Sequence, residues 1–251
     1  MNKKVLVIGE ACTDIFRYGT SERKSPEGSG PVFVPIDELK VWGMGMAGNT
    51  ANNLMAMGLD VDTYFDKGMI TKTRYVNKDT NELYLRVDEN DTTHRIDIYD
   101  LPDLVKYDAV VISDYCKGFL NEEDINTIAS MAKFTILDTK KRLGDWCKNI
   151  NFIKLNRHEF QNNFGVIKEN DWLFDKIICT LDRGGAMYKT DTFKVESIDS
   201  ADVSGAGDTF TAGFASKYLE TNDIYKSIEY GNQCAGQVVK QKGVTVFNPN
   251  N

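Results

Sequence analysis

Five short apolar runs constrain the fold of this chain more than any other feature. KVLVIG (4–9), DAVVISDY (108–115), FTILDT (134–139), NFIKL (151–155) and KIICTL (176–181) are rich in β-branched residues and end in polar or small ones. They are apolar on successive residues rather than alternate ones, as in strands covered on both faces inside a parallel sheet. Helical stretches lie between them. In NEEDINTIASMAK (121–133), Asn121 can cap and two glutamates fall in the first turn, where the helix dipole favours them. This alternation predicts an α/β layered fold with ligands at the carboxyl ends of the strands.

Two regions break the alternation. PVFVPIDELKVW (31–42) and TRYVNKDTNELYLRVDENDTTHRIDIYD (73–100) hold short alternating runs separated by turn residues, the pattern of antiparallel hairpins. We read them as a small β-sheet lid, contributed by about residues 16–42 and 70–100, on one domain spanning 1–251. A sheet so exposed covers a substrate or pairs with a second copy, so a homodimer through the lid is expected.

Composition narrows the classes of partner. With 251 residues, 41% hydrophobic and 27% charged, and no apolar run near the ~18 residues of a membrane span, a soluble globular protein is expected. MNKKVLVIGE passes directly into a strand, without the apolar region of a secretory leader, which points to the cytoplasm. A net charge of −7 argues against a nucleic-acid partner, which calls for a basic face. The five cysteines (Cys12, Cys116, Cys147, Cys179, Cys234) include no CxxC pair, against both a disulfide framework and a zinc site. Two histidines, His94 and His158, give no obvious source for a histidine metal centre or a catalytic triad.

The chemistry gathers around glycines. GMGMAGN (43–49) contains GxGxxG, but the dinucleotide fingerprint should follow the first buried strand, which ends far upstream at Gly9. It reads either as a glycine turn before the helix AGNTANNLMAMG, or as a place where backbone and Asn49 approach a polyhydroxy ligand. In DVSGAGDTFTAG (202–213), a turn into a helix starting near Ala206 leaves the amides of Gly205, Ala206 and Gly207 facing outward at the positive end of the dipole. That is a phosphate site. Asp208 beside it could serve as a base for an attacking hydroxyl, or be only a dipole-favoured acid of the first turn. TLDRGGAMY (180–188) could bring backbone close to a nucleotide, or be an ordinary turn between strands. In NRHE (156–159), Asn156 and Glu159 form a capping box or hold a hydrated Mg²⁺.

In this order the motifs resemble those of the ribokinase-like, phosphofructokinase B type carbohydrate kinases, across nearly the whole chain. The resemblance implies a three-layer sandwich with a mostly parallel central sheet and a β lid, ATP as co-substrate and Mg²⁺ as cofactor. It places sugar contacts at Gly45 to Asn49, Mg²⁺ through water at Asn156 and Glu159, nucleotide contacts at Thr180 to Gly185 (Thr180, Asp182 and Gly185), and the anion hole and base at Asp202 to Asp208. Within the family, GEACTDIFRYG, SERKSPEGSGPVFVP, TKTRYV, LYLRVDEN, SDYCKGFL and GNQCAGQVVKQKGVTVF are most similar to heptose 7-phosphate kinases of the ADP-heptose pathway. By that similarity Asp14 and Asn49 meet sugar hydroxyls, and Arg86, Lys117 and Lys140 meet the sugar phosphate or the nucleotide phosphates. Asn156, Gly207 and Asn232 would line the nucleotide. The activity implied is transfer of the ATP γ-phosphoryl to a heptose 7-phosphate, with another sugar acceptor, or a non-catalytic binder of the same fold, as alternatives. The chain departs from the family pattern at Met46 and Asp182, which stand where glycines are usual, and around Asp66–Thr71, where a helix and strand are expected. No nucleotidyltransferase segment follows, which suggests a free-standing kinase.

Overall fold

The computed structural model describes residues 2–36, 40–66, 68, 70–195, 203–241, 243 and 245–249. Asp202, the first residue of the glycine motif, lies outside the described residues. The chain runs through β1 (Lys4–Gly9), β2 (Ala11–Lys24), β3 (Pro31–Pro35), β4 (Lys40–Met46), α1 (Ala47–Ala56), β5 (Asp60–Phe65), β6 (Ile70–Asn77) and β7 (Leu83–Glu89). It continues through β8 (Ala109–Asp114), α2 (Glu122–Met131), β9 (Thr135–Thr139), β10 (Phe152–Asn156), α3 (Arg157–Glu169) and the short α4 (Asp171–Phe174). Strands β11 (Ile177–Thr180), β12 (Ala186–Tyr188) and β13 (Asp191–Phe193) and helices α5 (Ala206–Thr221) and α6 (Ile224–Val238) complete it.

The five apolar runs become β1, β8, β9, β10 and β11. They sit in a sheet of order β13-β12-β11-β10-β9-β8-β1-β5, parallel except at its β12–β13 end. Their continuous hydrophobicity follows from burial on both faces. In β1, Leu6 and Ile8 enter one core with Ile125 and Ile128 of α2 and Ile167 of α3. Val5 and Val7 enter the other with Leu54 of α1, Phe210 and Phe214 of α5 and Ile228 of α6. The result is a three-layer α/β/α sandwich. Each fully buried large side chain stabilises it by about 1.5–3 kcal/mol relative to exposure.

The lid is a second sheet of order β3-β2-β6-β7, with β4 also paired to β2. It grows directly out of the body, because β2 leaves β1 across the single residue Glu10. β3, β6 and β7 fall within the 16–42 and 70–100 expected, whereas β2 already starts at Ala11, β4 ends at Met46 and the last strand ends at Glu89. Residues 92–97 alternate but form no strand. The amides of Thr93 and Ile96 donate to the carbonyls of Lys117 (2.7 Å) and Phe119 (2.8 Å), and Arg95 forks onto Asp124 at 2.9 and 2.8 Å. Burial of Ile96 in the main core holds this stretch on the body.

Candidate active site

The first turn of α5 is placed by both ends of its helix. Phe214 and Tyr218 stack with ring centroids 5.8 Å apart and pack on Phe152 of β10, which fixes the helix along the sheet. At the other end Gly205 caps the helix at φ 79, a left-handed conformation that glycine takes without strain. The Ala206 amide donates to Val203 O at 3.3 Å, closing the turn that launches the helix. The expected cradle of three amides is therefore narrower: those of Gly205 and Gly207 have no partner among the described residues, whereas that of Ala206 is engaged.

Asp208 is buried one step further on, with both carboxylate oxygens engaged. Tyr115, just past the end of β8, donates its phenol to Oδ1 at 2.6 Å, and Asn49 of α1 donates its amide to Oδ2 at 3.1 Å. Burial pushes the Asp208 pKa up to about 6, with the charge of Asp138 adding to the rise and the Tyr115 and Asn49 hydrogen bonds opposing it. A carboxylate ionised at neutral pH yet far more basic than an ordinary aspartate suits a general base. Asn49, expected at sugar hydroxyls, is committed to the protein: its Nδ2 also reaches Gly205 O at 3.3 Å, and its Oδ1 accepts from Asn53 at 3.1 Å. It orients the Asp208 carboxylate.

Beneath the turn lies a buried cation absent from the sequence expectations. Lys154 of β10 pairs with Asp138 of β9 at 2.9 Å, and the two are register partners in the parallel ladder. A Cβ on Gly207 would come within 3.0 Å of the Lys154 ammonium, so the glycine is what lets the helix start approach this cation. Asn156 and Glu159 form the reciprocal capping box of α3: Asn156 Oδ1 accepts from Glu159 N at 2.8 Å, and Glu159 Oε2 from Asn156 N at 2.7 Å. Glu159 Oε1 carries no hydrogen bond among the described residues. Burial raises the Glu159 pKa, and the nearby Asp138 charge adds to it. Asn156 Oδ1 and Glu159 Oε2 already accept backbone amides, so Glu159 Oε1 is the oxygen that would meet the water shell of a Mg²⁺ ion.

The lid supplies the opposite wall. Asp14 of β2 is buried and ion-paired with Arg74 of β6. A Cβ on Gly45 would collide with the Asp14 carboxylate, which explains a glycine inside β4. Lys72 of β6 is almost fully buried, has no ion-pair partner among the described residues, and lies 5.3 Å from the Tyr115 ring centroid. Lys140 sits over the same ring at 4.5 Å. Burial lowers the Lys72 pKa. The other expected phosphate contacts are differently placed: Arg86 forks onto Asp88 at 2.8 and 3.0 Å, and Lys117 is paired with Asp91. Both departures from the family's glycines keep a glycine-type backbone, with Met46 at φ 58 and Asp182 at φ 52.

The remaining expected nucleotide residues, Thr180, Asp182, Gly185 and Asn232, lie at the end of β11, in the turn after it and on α6. Thr180 closes β11 in register with Asn156. Asp182 is exposed in the following turn, and Gly185, at φ 86, closes it by donating to Asp182 O at 3.2 Å. Asn232 of α6 donates to Phe193 O at 2.9 Å and lines a cavity with Phe193, Lys194, Tyr225 and Lys240. No helix among the described residues is long and apolar enough to cross a membrane.

A buried carboxylate at a helix start whose Gly205 and Gly207 amides have no partner among the described residues, beneath a β sheet, is an arrangement that suits phosphoryl transfer. Residues 40–251 match the pfkB family carbohydrate kinases, and the chain belongs to that family of ATP-dependent sugar kinases. The bifunctional protein HldE of Nitratiruptor sp. is 26% identical over 97% of this chain, and that of Helicobacter pylori strain J99 is 27% identical over 96%. The chain spans 63% of the first of these relatives and 64% of the second. The first alignment extends over 292 residues, longer than the chain itself, so the relative carries segments this chain lacks. Among solved structures, the Methanocaldococcus jannaschii nucleoside kinase superposes with a TM-score of 0.71 at 18% identity, over 98% of this chain and 95% of that one. The Thermotoga maritima ribokinase gives 0.73 at 15% identity, over 96% and 94%.

Proposed function

We propose that this kinase phosphorylates the anomeric hydroxyl of a heptose 7-phosphate, giving the 1,7-bisphosphate. The observation that carries the transfer step is the buried Asp208 beside the Gly207 amide, which has no partner among the described residues, and above Lys154. As the acceptor oxygen bonds to the γ-phosphorus and the bond to the ADP oxygen breaks, the hydroxyl proton passes to Asp208. The Gly205 and Gly207 amides and the Lys154 ammonium face the charge that develops on the moving group. Mg²⁺, held near Asn156 and Glu159, would neutralise charge on the remaining phosphates. Thr180, Asp182, Gly185 and Asn232 line the nucleotide in this reading.

Support for a phosphorylated heptose comes from the relatives named HldE, which are heptose 7-phosphate kinase/adenylyltransferases, and from Lys72 and Lys140 over Tyr115. Two cations without carboxylate partners among the described residues favour an anionic acceptor. Asp14, held by Arg74 and Gly45, remains available to sugar hydroxyls; Arg86 and Lys117 would reach a phosphate only by leaving Asp88 and Asp91. A homodimer through the lid is supported by the exposed Val34, Leu83 and Leu85 on its edge strands β3 and β7. The acceptor is tested by measuring ADP release against a panel of sugars and sugar phosphates including heptose 7-phosphate. Release confined to a different acceptor, such as ribose or a nucleoside, would reassign the substrate and leave the transfer chemistry in place.

A further inference from the structure

Tyr115 stands against Asp208 at the end of a built device whose other end is Glu10. Glu10 is completely buried between β1 and β2, and its carboxylate accepts three backbone amides of one loop: Tyr115 at 2.8 Å, Lys117 at 2.9 Å and Phe119 at 3.3 Å. A carboxylate taken so fully out of water is tolerated only when its partners compensate it, and here they all lie in the segment that follows β8. That segment is strained. Cys116, next to Tyr115, holds φ 57 without being glycine, and its amide is tied back to Asp114 Oδ1 at 3.1 Å. The Tyr115 ring packs against Cys12, Met46 and Ile70 beneath the lid, with the Lys72 and Lys140 ammonium groups 5.3 and 4.5 Å from its centroid. Backbone, ring and phenol are thus fixed separately, and the phenol is aimed at one oxygen of the base.

We propose that Tyr115 is a positioning residue for the Asp208 base, and that Glu10 positions Tyr115 by clamping the loop from 115 to 119. The proposal rests on the reading of Asp208 as the base. The Tyr115 hydrogen bond holds Oδ1, and the Asn49 amide holds Oδ2, so the carboxylate cannot swing away from the helix start. The same bond favours the ionised form in a site where burial disfavours it. The charged and titratable groups facing Asp208 are Tyr115 after β8, Asp138 of β9, Lys154 of β10 and Cys12 of β2. Of these, Tyr115 alone donates a hydrogen bond to it.

The test follows the titration of Asp208 in the free protein, which needs no acceptor. Aspartate carboxyl carbons are labelled with ¹³C, and the Asp208 resonance is assigned from its loss in Asp208→Asn. In Tyr115→Phe the resonance should titrate at clearly higher pH than in wild type, and kcat/KM should fall roughly tenfold near pH 6 while approaching wild type at alkaline pH. Glu10→Gln should move the titration in the same direction, and Tyr115→Phe/Glu10→Gln no further than Tyr115→Phe alone. Cys116→Gly relaxes the left-handed backbone and should restore part of the Glu10→Gln effect, and where Glu10→Gln alone does not fold, the same comparison is made in the Cys116→Gly background. An Asp208 titration unmoved by Tyr115→Phe overturns the role of Tyr115, and additive effects of the two substitutions overturn that of Glu10. Full turnover in Asp208→Asn would instead remove the base assignment, leaving the titration result to stand by itself.

Discussion

The buried Lys154 and the partly buried Asp138 form an ion pair of 2.9 Å beneath the first turn of α5, within reach of the space that the missing Gly207 side chain leaves open. The pair places a positive charge behind a helix start that is itself electropositive, an arrangement that favours an anion in front of both. Lys154→Met should abolish most turnover and destabilise the protein by up to about 3 kcal/mol, because the partly buried Asp138 is left charged without its partner. Lys154→Met with Asp138→Asn should regain much of that stability without regaining turnover. Urea unfolding alongside an ADP-release assay separates the two effects; recovery of turnover in the double variant would mean that the ammonium has no part in transfer.

Asp208 trades stability for basicity. Its folded pKa of about 6 lies above the ordinary 3.8, so the native protein binds this proton more readily than the unfolded chain does. Stability from this group therefore rises as the pH falls through 6 towards 4, and is lowest above 6. Asp208→Asn removes the buried charge and should stabilise the protein at pH 8 by up to about 3 kcal/mol, with the gain shrinking as the pH approaches 4. Thermal unfolding across that range checks the sign. A variant less stable than wild type at pH 8 would contradict the cost assigned to burial.

Much of this arrangement was legible in the sequence, for local reasons. The five apolar runs become β1, β8, β9, β10 and β11 because burial on both faces leaves no room for alternation. Asn121 and Asn156 act as helix caps, signals carried within three residues. Tyr115, Lys154 and Asp138 were not legible as site residues. Tyr115 lies 93 positions from Asp208, and Lys154 is 16 from Asp138, so only the parallel ladder and the seating of α5 bring them together. A lysine within the apolar NFIKL was the one available hint of a buried cation, and it carries no address for its partner. The stretch around 92–97 misleads for a related reason: alternation alone does not say which surface a segment will pack on.

Lys72 gives a test of acceptor charge. It is buried without an ion-pair partner among the described residues, so Lys72→Met should cost no stability and could raise it. The KM for a sugar phosphate should rise about tenfold, matching the loss of one charge-assisted hydrogen bond, while the KM for ATP stays put. An equal rise in both would place Lys72 at the nucleotide instead.

Gly45 gives a test of the lid wall. Gly45→Ala drives a methyl group into the Asp14 carboxylate, which must leave its place beside Arg74. Acceptor KM should increase several-fold or more with little change in ATP binding, measured by initial rates with each substrate varied in turn. Unchanged acceptor kinetics would show that Asp14 does not touch the sugar.

The most direct measurement is single-turnover phosphoryl transfer from ATP to heptose 7-phosphate, or to whichever acceptor the panel identifies, by wild type and Asp208→Asn side by side. Transfer slowed roughly 10²-fold or more in a variant that still folds and binds ATP is the expected result. Equal rates in the two proteins would contradict proton removal by Asp208, and with it the assignment of the α5 start as the place where the phosphoryl group moves.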